Sequence, residues 1–152
     1  MNRGLALFWN GVIFLNRLSR GRPMSAKEES DLRGWSGAIN VAIEGPEGGE
    51  WRIEVAEERC WISRGAHTSP RASIRMDPVA LFSMVSGRAS IFSLNLTGAV
   101  TTTGEGLSGI MLWAIISRVR ALAASRGPAG WLASLWLRRA LALSGTGLTE
   151  AT

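Results

Sequence analysis

With 152 residues, 46% of them hydrophobic and 19% charged, the chain suits one globular unit with a core of useful size. Its single cysteine, Cys60, excludes an internal disulfide and any cysteine-cluster metal centre, and its single histidine, His67, leaves a histidine-based zinc or iron site without ligands. The net charge of +5 is uneven: residues 1–24 hold four arginines and no acid, residues 25–100 eight bases against ten acids, and residues 101–152 five arginines against two glutamates.

Leu5, Phe8, Val12, Leu15 and Leu18 recur at three- and four-residue spacing and predict a helix in residues 1–24, its apolar stripe broadened by Leu7, Ile13 and Phe14. Such a helix lies across the body or meets something greasy. Asn10 and Gly11 interrupt the run, no small-X-small cleavage site follows, and Arg17, Arg20 and Arg22 flank it on the side that disfavours export. No stretch approaches the ~20 apolar residues of a membrane-spanning helix, so a soluble protein, at most peripheral at a membrane, is expected, and the single cysteine makes a reducing cytoplasm its simplest home. Gly21, Pro23 and the charged cluster from Lys27 to Asp31 read as an exposed linker.

From Gly37 the period changes to two. Ile39, Val41 and Ile43 alternate with polar or small neighbours, a turn follows at Gly45–Gly49, and Trp51, Ile53 and Val55 alternate again: a half-buried hairpin. Cys60–Ile62 makes a third strand, with Trp51 and Trp61 expected in the core and Cys60 an inert buried thiol, since nothing nearby in sequence lowers its pKa. Ala72–Met76 makes a fourth strand. Asp77-Pro78 then starts a helix, aspartate as N-cap and proline at the first helical position, with Gly87 ending it. Val79–Val85 is apolar nearly all round, so this helix is buried or walls a cavity. Residues 91–103 read as extended. Gly104-Glu105-Gly106-Leu107-Ser108-Gly109 leads into a second apolar helix from Leu107 to Leu122, and Gly127-Pro128 opens a last one bearing Trp131, Leu135 and Trp136 beside Arg138 and Arg139.

The Gly-X-Gly-X-X-Gly spacing invites a dinucleotide site, which needs a following parallel strand and an acid about 20 residues on. Neither follows, because helix succeeds helix and no acid occurs between Glu105 and Glu150; a tight strand-to-helix turn explains the glycines, and no cofactor is expected. His67 has no convincing partner, Ser108 is in no nucleophile elbow, and tyrosine is absent. Sixteen of the seventeen bases are arginine, which grips phosphate through a planar fork, yet they are spread without an aromatic stacking platform, so nucleic acid is not an expected partner.

The run from Ala72 to Val119 resembles the sterol carrier protein 2 (SCP2) family. The strand Ala72–Met76, the helix ending at Gly87, Gly98-Ala99-Val100-Thr101-Thr102-Thr103-Gly104-Glu105 and then Leu107–Leu112 follow that family's pattern, and the hairpin with Trp51-Arg52-Ile53-Glu54-Val55 sits where the family has paired strands. Leu94-Asn95 replaces the usual Ala-Phe pair, and Thr102 stands at an apolar strand position. The resemblance implies an α+β fold, a twisted five-stranded mixed sheet with helices over one face and an apolar tunnel. With the terminal helices read from periodicity, the chain is expected to comprise an N-terminal helix (1–24), an SCP2-like domain (36–127) and a C-terminal amphipathic helix and tail (128–152) in one unit.

The function implied is non-catalytic binding or carriage of a fatty acyl, isoprenoid, quinone or sterol-like molecule. Its expected wall is Phe82, Val85, Leu94, Leu96, Val100, Ile110, Met111 and Ile115, with Trp131, Leu135 and Trp136 as lid. Basic termini would favour contact with anionic membranes. Two alternatives stay open: a catalyst using the same cavity on a polyketide or terpenoid intermediate, with His67, Asn95 and Thr102 as polar groups, and an interaction module that docks a protein partner in a biosynthetic assembly.

Overall fold

The computed structural model describes residues 2–22, 35–104 and 107–148. In chain order the elements are α1 (Arg3–Leu18), β1 (Gly37–Ile43), β2 (Gly49–Ala56), β3 (Arg59–Arg64), β4 (Ala72–Met76), α2 (Pro78–Val85), α3 (Ile91–Thr97), β5 (Val100–Gly104), α4 (Leu107–Ala124) and α5 (Pro128–Leu143). The expected linker at Pro23 and Lys27–Asp31, and Glu105-Gly106 of the glycine turn, lie outside the described residues.

Among the described residues one sheet forms, in the order β3-β2-β1-β4-β5. β1 and β4 run parallel while the other pairs are antiparallel, so the sheet is mixed. The period-two alternation decides its faces. Ile39 pairs with Ile53 and Ala72, and Val41 with Trp51 and Ile74, so one face is apolar across the central strands β2, β1 and β4, with Arg64 and Thr102 on its two edge strands; Asn40, Arg52, Glu54 and Arg75 share the other. The helices cover the apolar face. α1 presents Leu5, Phe8, Trp9 and Val12 to the core, where Trp9 stacks on Trp51 at 4.8 Å between ring centroids. α4 packs on β4 and α2, and α5 packs against α1 and α4.

Local chemistry sets the helix ends. Asp77 caps α2, its carboxylate accepting the Ala80 N–H at 2.8 Å, with Pro78 in the first turn. Residues 91–97 correct the expectation of an extended segment. Ser90 and Ser93 form a reciprocal capping box, Gly98 closes the turn at φ +82°, and only Val100–Gly104 is strand. At the glycine turn Gly104 has φ +87°, and a Cβ there would collide with the Arg71 carbonyl, whereas a Cβ on Gly109 would meet Ile91 at 3.6 Å, ordinary contact. The first glycine therefore has a structural reason to be glycine.

Two core expectations are corrected. Trp61 is half-buried on the sheet face opposite Ile62, under the Arg17 guanidinium at 5.2 Å, because odd and even residues of β3 point to opposite sides. Cys60 is half-buried instead of sealed in the core.

Candidate functional site

A cavity of about 350 Å³ opens between the C-terminal half of α1, the edge strand β3 and the C-terminal half of α4. Such a volume is at the lower end of the ~300–1,000 Å³ typical of small-molecule sites. Seven of its eleven lining residues are aliphatic: Val12, Leu15 and Leu18 from α1, Ile62 from β3, and Ile115, Val119 and Leu122 from α4. The rest are Asn16, Ser19, Cys60 and Arg118. Helical periodicity explains the α4 contribution, since positions 115, 118, 119 and 122 are three or four apart and form one face.

The polar lining groups are engaged by the protein. The Asn16 side chain donates through Nδ2 to the Cys60 carbonyl at 2.8 Å and accepts through Oδ1 from the Ile62 N–H at 3.0 Å. Ser19 Oγ donates to the Asn16 carbonyl at 3.0 Å. Arg118 Nη1 donates to the Arg22 carbonyl at 3.2 Å. Bonds that turn polar groups back onto the backbone leave a predominantly apolar surface, whose attraction for a ligand comes from burial.

The expected wall residues separate into three groups. Ile115 lines this cavity. Phe82, Val85, Val100 and Met111 are buried in the core, where Phe82 meets Phe8 edge-on at 6.1 Å. Leu94 is half-buried against the core, whereas Ile110 and Leu96 are exposed, Leu96 at 91%. Of the expected lid, Trp136 stacks on Phe8 at 5.9 Å and donates from Nε1 to the Leu7 carbonyl at 2.9 Å, while Trp131 and Leu135 face solvent on α5.

His67, Asn95 and Thr102 are not brought together with the cavity lining. His67 is clasped by Asn40, whose Oδ1 accepts the His67 N–H at 2.8 Å and whose Nδ2 donates to the His67 carbonyl at 3.0 Å. His67 Nδ1 accepts from the Ser69 N–H at 3.0 Å, so the ring is part of a loop brace. Asn95 and Thr102 contact each other beside β5. Asn16 and Cys60 were not expected at a site; the Asn16 partners are 44 and 46 residues away, beyond the reach of local pattern.

A family model described as the SCP-2 sterol transfer family matches residues 15–106, more than half of the chain. No curated protein sequence matches significantly. Among solved structures the fold is similar to Sterol Carrier Protein 2 from Yarrowia lipolytica in its apo form, at TM-score 0.56 and 12% identity over 76% of this chain and 92% of that one. It is also similar to a UbiJ-SCP2 ubiquinone synthesis protein, at TM-score 0.54 and 12% identity over 74% of this chain and 96% of that one. The sterol carrier protein domain 2 of Helicoverpa armigera aligns at TM-score 0.52 and 12% identity over 84% of this chain and 93% of that one. At these identities the structural likeness is one of fold, and with the family match over residues 15–106 it establishes that the chain belongs to the SCP-2 sterol transfer family.

Proposed function

We propose that this protein binds and carries an apolar molecule, without catalysis, in the cavity between α1, β3 and α4. The observation that carries this reading is the lining: seven aliphatic side chains, with the hydrogen-bonding groups of Asn16 and Ser19 occupied by backbone partners. Each 100 Å² of ligand surface withdrawn from water there contributes about 2.5 kcal/mol, so shape and apolar area dominate affinity over polar recognition. Arg118 is the charged member of the lining among the described residues, and it suits a ligand with an oxygen-bearing end. In this reading Ile115, expected from sequence, touches the ligand.

Family membership favours lipid cargo, and the fold likeness to a ubiquinone synthesis protein makes isoprenoids and quinone precursors worth testing beside fatty acids. Native mass spectrometry of gently purified protein, before and after exposure to palmitate or farnesol, tests the proposal. A one-to-one adduct that disappears in Ile115→Trp is expected. A clean apo mass after exposure to both probes contradicts it.

A further inference from the structure

The two edges of the sheet are finished differently. Along β3 the outer backbone is occupied: the Cys60 N–H donates to the Gly21 carbonyl at 2.9 Å, and Asn16 bonds the Cys60 carbonyl and the Ile62 N–H. β5 pairs only with β4, and among the described residues no backbone group bonds its outer side. Every second residue of an edge strand turns its N–H and C=O outward, a ready template for another strand. Beyond its length of five residues, Val100-Thr101-Thr102-Thr103-Gly104 carries no protection against such pairing: no lysine, no proline and an unbroken register with β4.

The surface beside that edge is apolar and neutral. α3 seats Ile91 in the core and reaches β5 through Asn95, whose Nδ2 donates to Thr102 Oγ1 at 3.5 Å. Phe92 and Leu96, one helical turn apart on α3, are 58% and 91% exposed. No charged residue occurs from Ala89 to Gly104. Elsewhere charge is dense: α1, α4 and α5 carry arginines and no acid, and the polar face of the sheet mixes Arg52, Glu54 and Arg75.

We propose that two copies of this chain pair through β5 in a symmetric dimer, joining their five-stranded sheets into one. β5 is the open edge among the described residues, so the strand that two identical chains can offer each other is β5 itself. A two-fold axis normal to the sheet runs the two strands antiparallel and keeps both sets of helices on the same face. Centred on Thr102, it sets the exposed Thr101 opposite Thr103 of the second copy, a favourable hydroxyl pair. It also lays the two α3 helices side by side over the seam, within reach of the ~8–10 Å spacing of packed helices, and withdraws Phe92 and Leu96 from water. The neutral run imposes no like-charge cost on self-contact, whereas pairing through the arginine-bearing helices would. Lipid does not satisfy the edge, because hydrocarbon leaves strand N–H and C=O groups without partners. The cavity borders β3, at the far end of the strand order, so each copy keeps its own.

Sedimentation equilibrium of the full-length protein at up to ~100 μM tests the dimer. A reversible dimer is expected, with its dissociation constant raised about tenfold or more in the double variants F92S/L96S and T101E/T103E. Arg75, which pairs with Thr101 across β4, offsets the new carboxylates within one copy, whereas across the seam they face each other. Both variants should keep the far-ultraviolet circular dichroism of wild type. W131S/L135S, which changes exposed residues of α5, should dimerise as wild type. Hydrogen exchange at the β5 amides should slow as the concentration of wild type rises, and should not in F92S/L96S. A wild type that is monomeric throughout, a dimer that neither variant weakens, a dimer lost in W131S/L135S, or β5 exchange independent of concentration overturns the proposal. So does a monomer that floats with phosphatidylcholine vesicles unless Phe92 and Leu96 are replaced, which would assign this face to lipid.

Discussion

Replacing Asn16 by leucine should unfasten the edge of the sheet that walls the cavity. β3 pairs with β2 on one side only, and on the other its backbone is met by α1 and the turn behind it. The Cys60 N–H donates to the Gly21 carbonyl at 2.9 Å, the Cys60 carbonyl accepts from Asn16 Nδ2 at 2.8 Å, and the Ile62 N–H donates to Asn16 Oδ1 at 3.0 Å. Asn16 is 8% exposed, so water cannot readily replace it. Leucine has nearly the same shape and makes neither bond. Each backbone group deprived of its Asn16 partner costs about 1–3 kcal/mol, while the greater apolar burial of leucine returns about 1–2 kcal/mol. The net loss is about 2 kcal/mol, which at a urea dependence of ~1–3 kcal/mol per molar lowers the unfolding midpoint by about 1 M. Urea unfolding followed by tryptophan fluorescence measures it. A midpoint equal to wild type would refute the claim that Asn16 stitches helix to sheet edge.

Three other substitutions and treatments probe separate parts of the account. Asp77→Ala removes the acceptor for the Ala80 N–H and should cost about 1 kcal/mol in denaturant unfolding without altering ligand affinity, since α2 does not line the cavity. Trp136→Phe keeps a ring against Phe8 but loses the donor to the Leu7 carbonyl, and should lower stability by about 1 kcal/mol. Bound ligand should slow maleimide labelling of Cys60, followed by mass spectrometry, because this residue lines the cavity; equal rates with and without ligand would place the ligand elsewhere.

Much of the fold was legible because it rests on local pattern. The two-residue alternation of β1 and β2, the Asp77-Pro78 start of α2 and the apolar stripe of α1 are each encoded within a few residues. α3 was not, because Phe92, Leu94 and Leu96 alternate with Ser93 and Asn95 and imitate a strand, while the deciding signal is the pair of short hydroxyls at Ser90 and Ser93. The cavity was the hardest part to read. Periodicity marks α2 and α4 as apolar, but tertiary packing decides which faces are filled. Phe8 and its neighbours seal the Phe82 side, while α1 and α4 stand apart beside β3. Asn16, which ties α1 to β3, carries no sequence signal because its partners are remote.

The central claim, that the space between α1, β3 and α4 holds one apolar molecule, is tested most directly by titrating a fluorescent fatty-acid probe into wild type and Ile115→Trp. The account predicts saturable one-to-one binding to wild type and a loss of about tenfold or more in the variant, whose indole occupies the lining position. Equal affinity in the two proteins, with the variant folded as wild type, would contradict it.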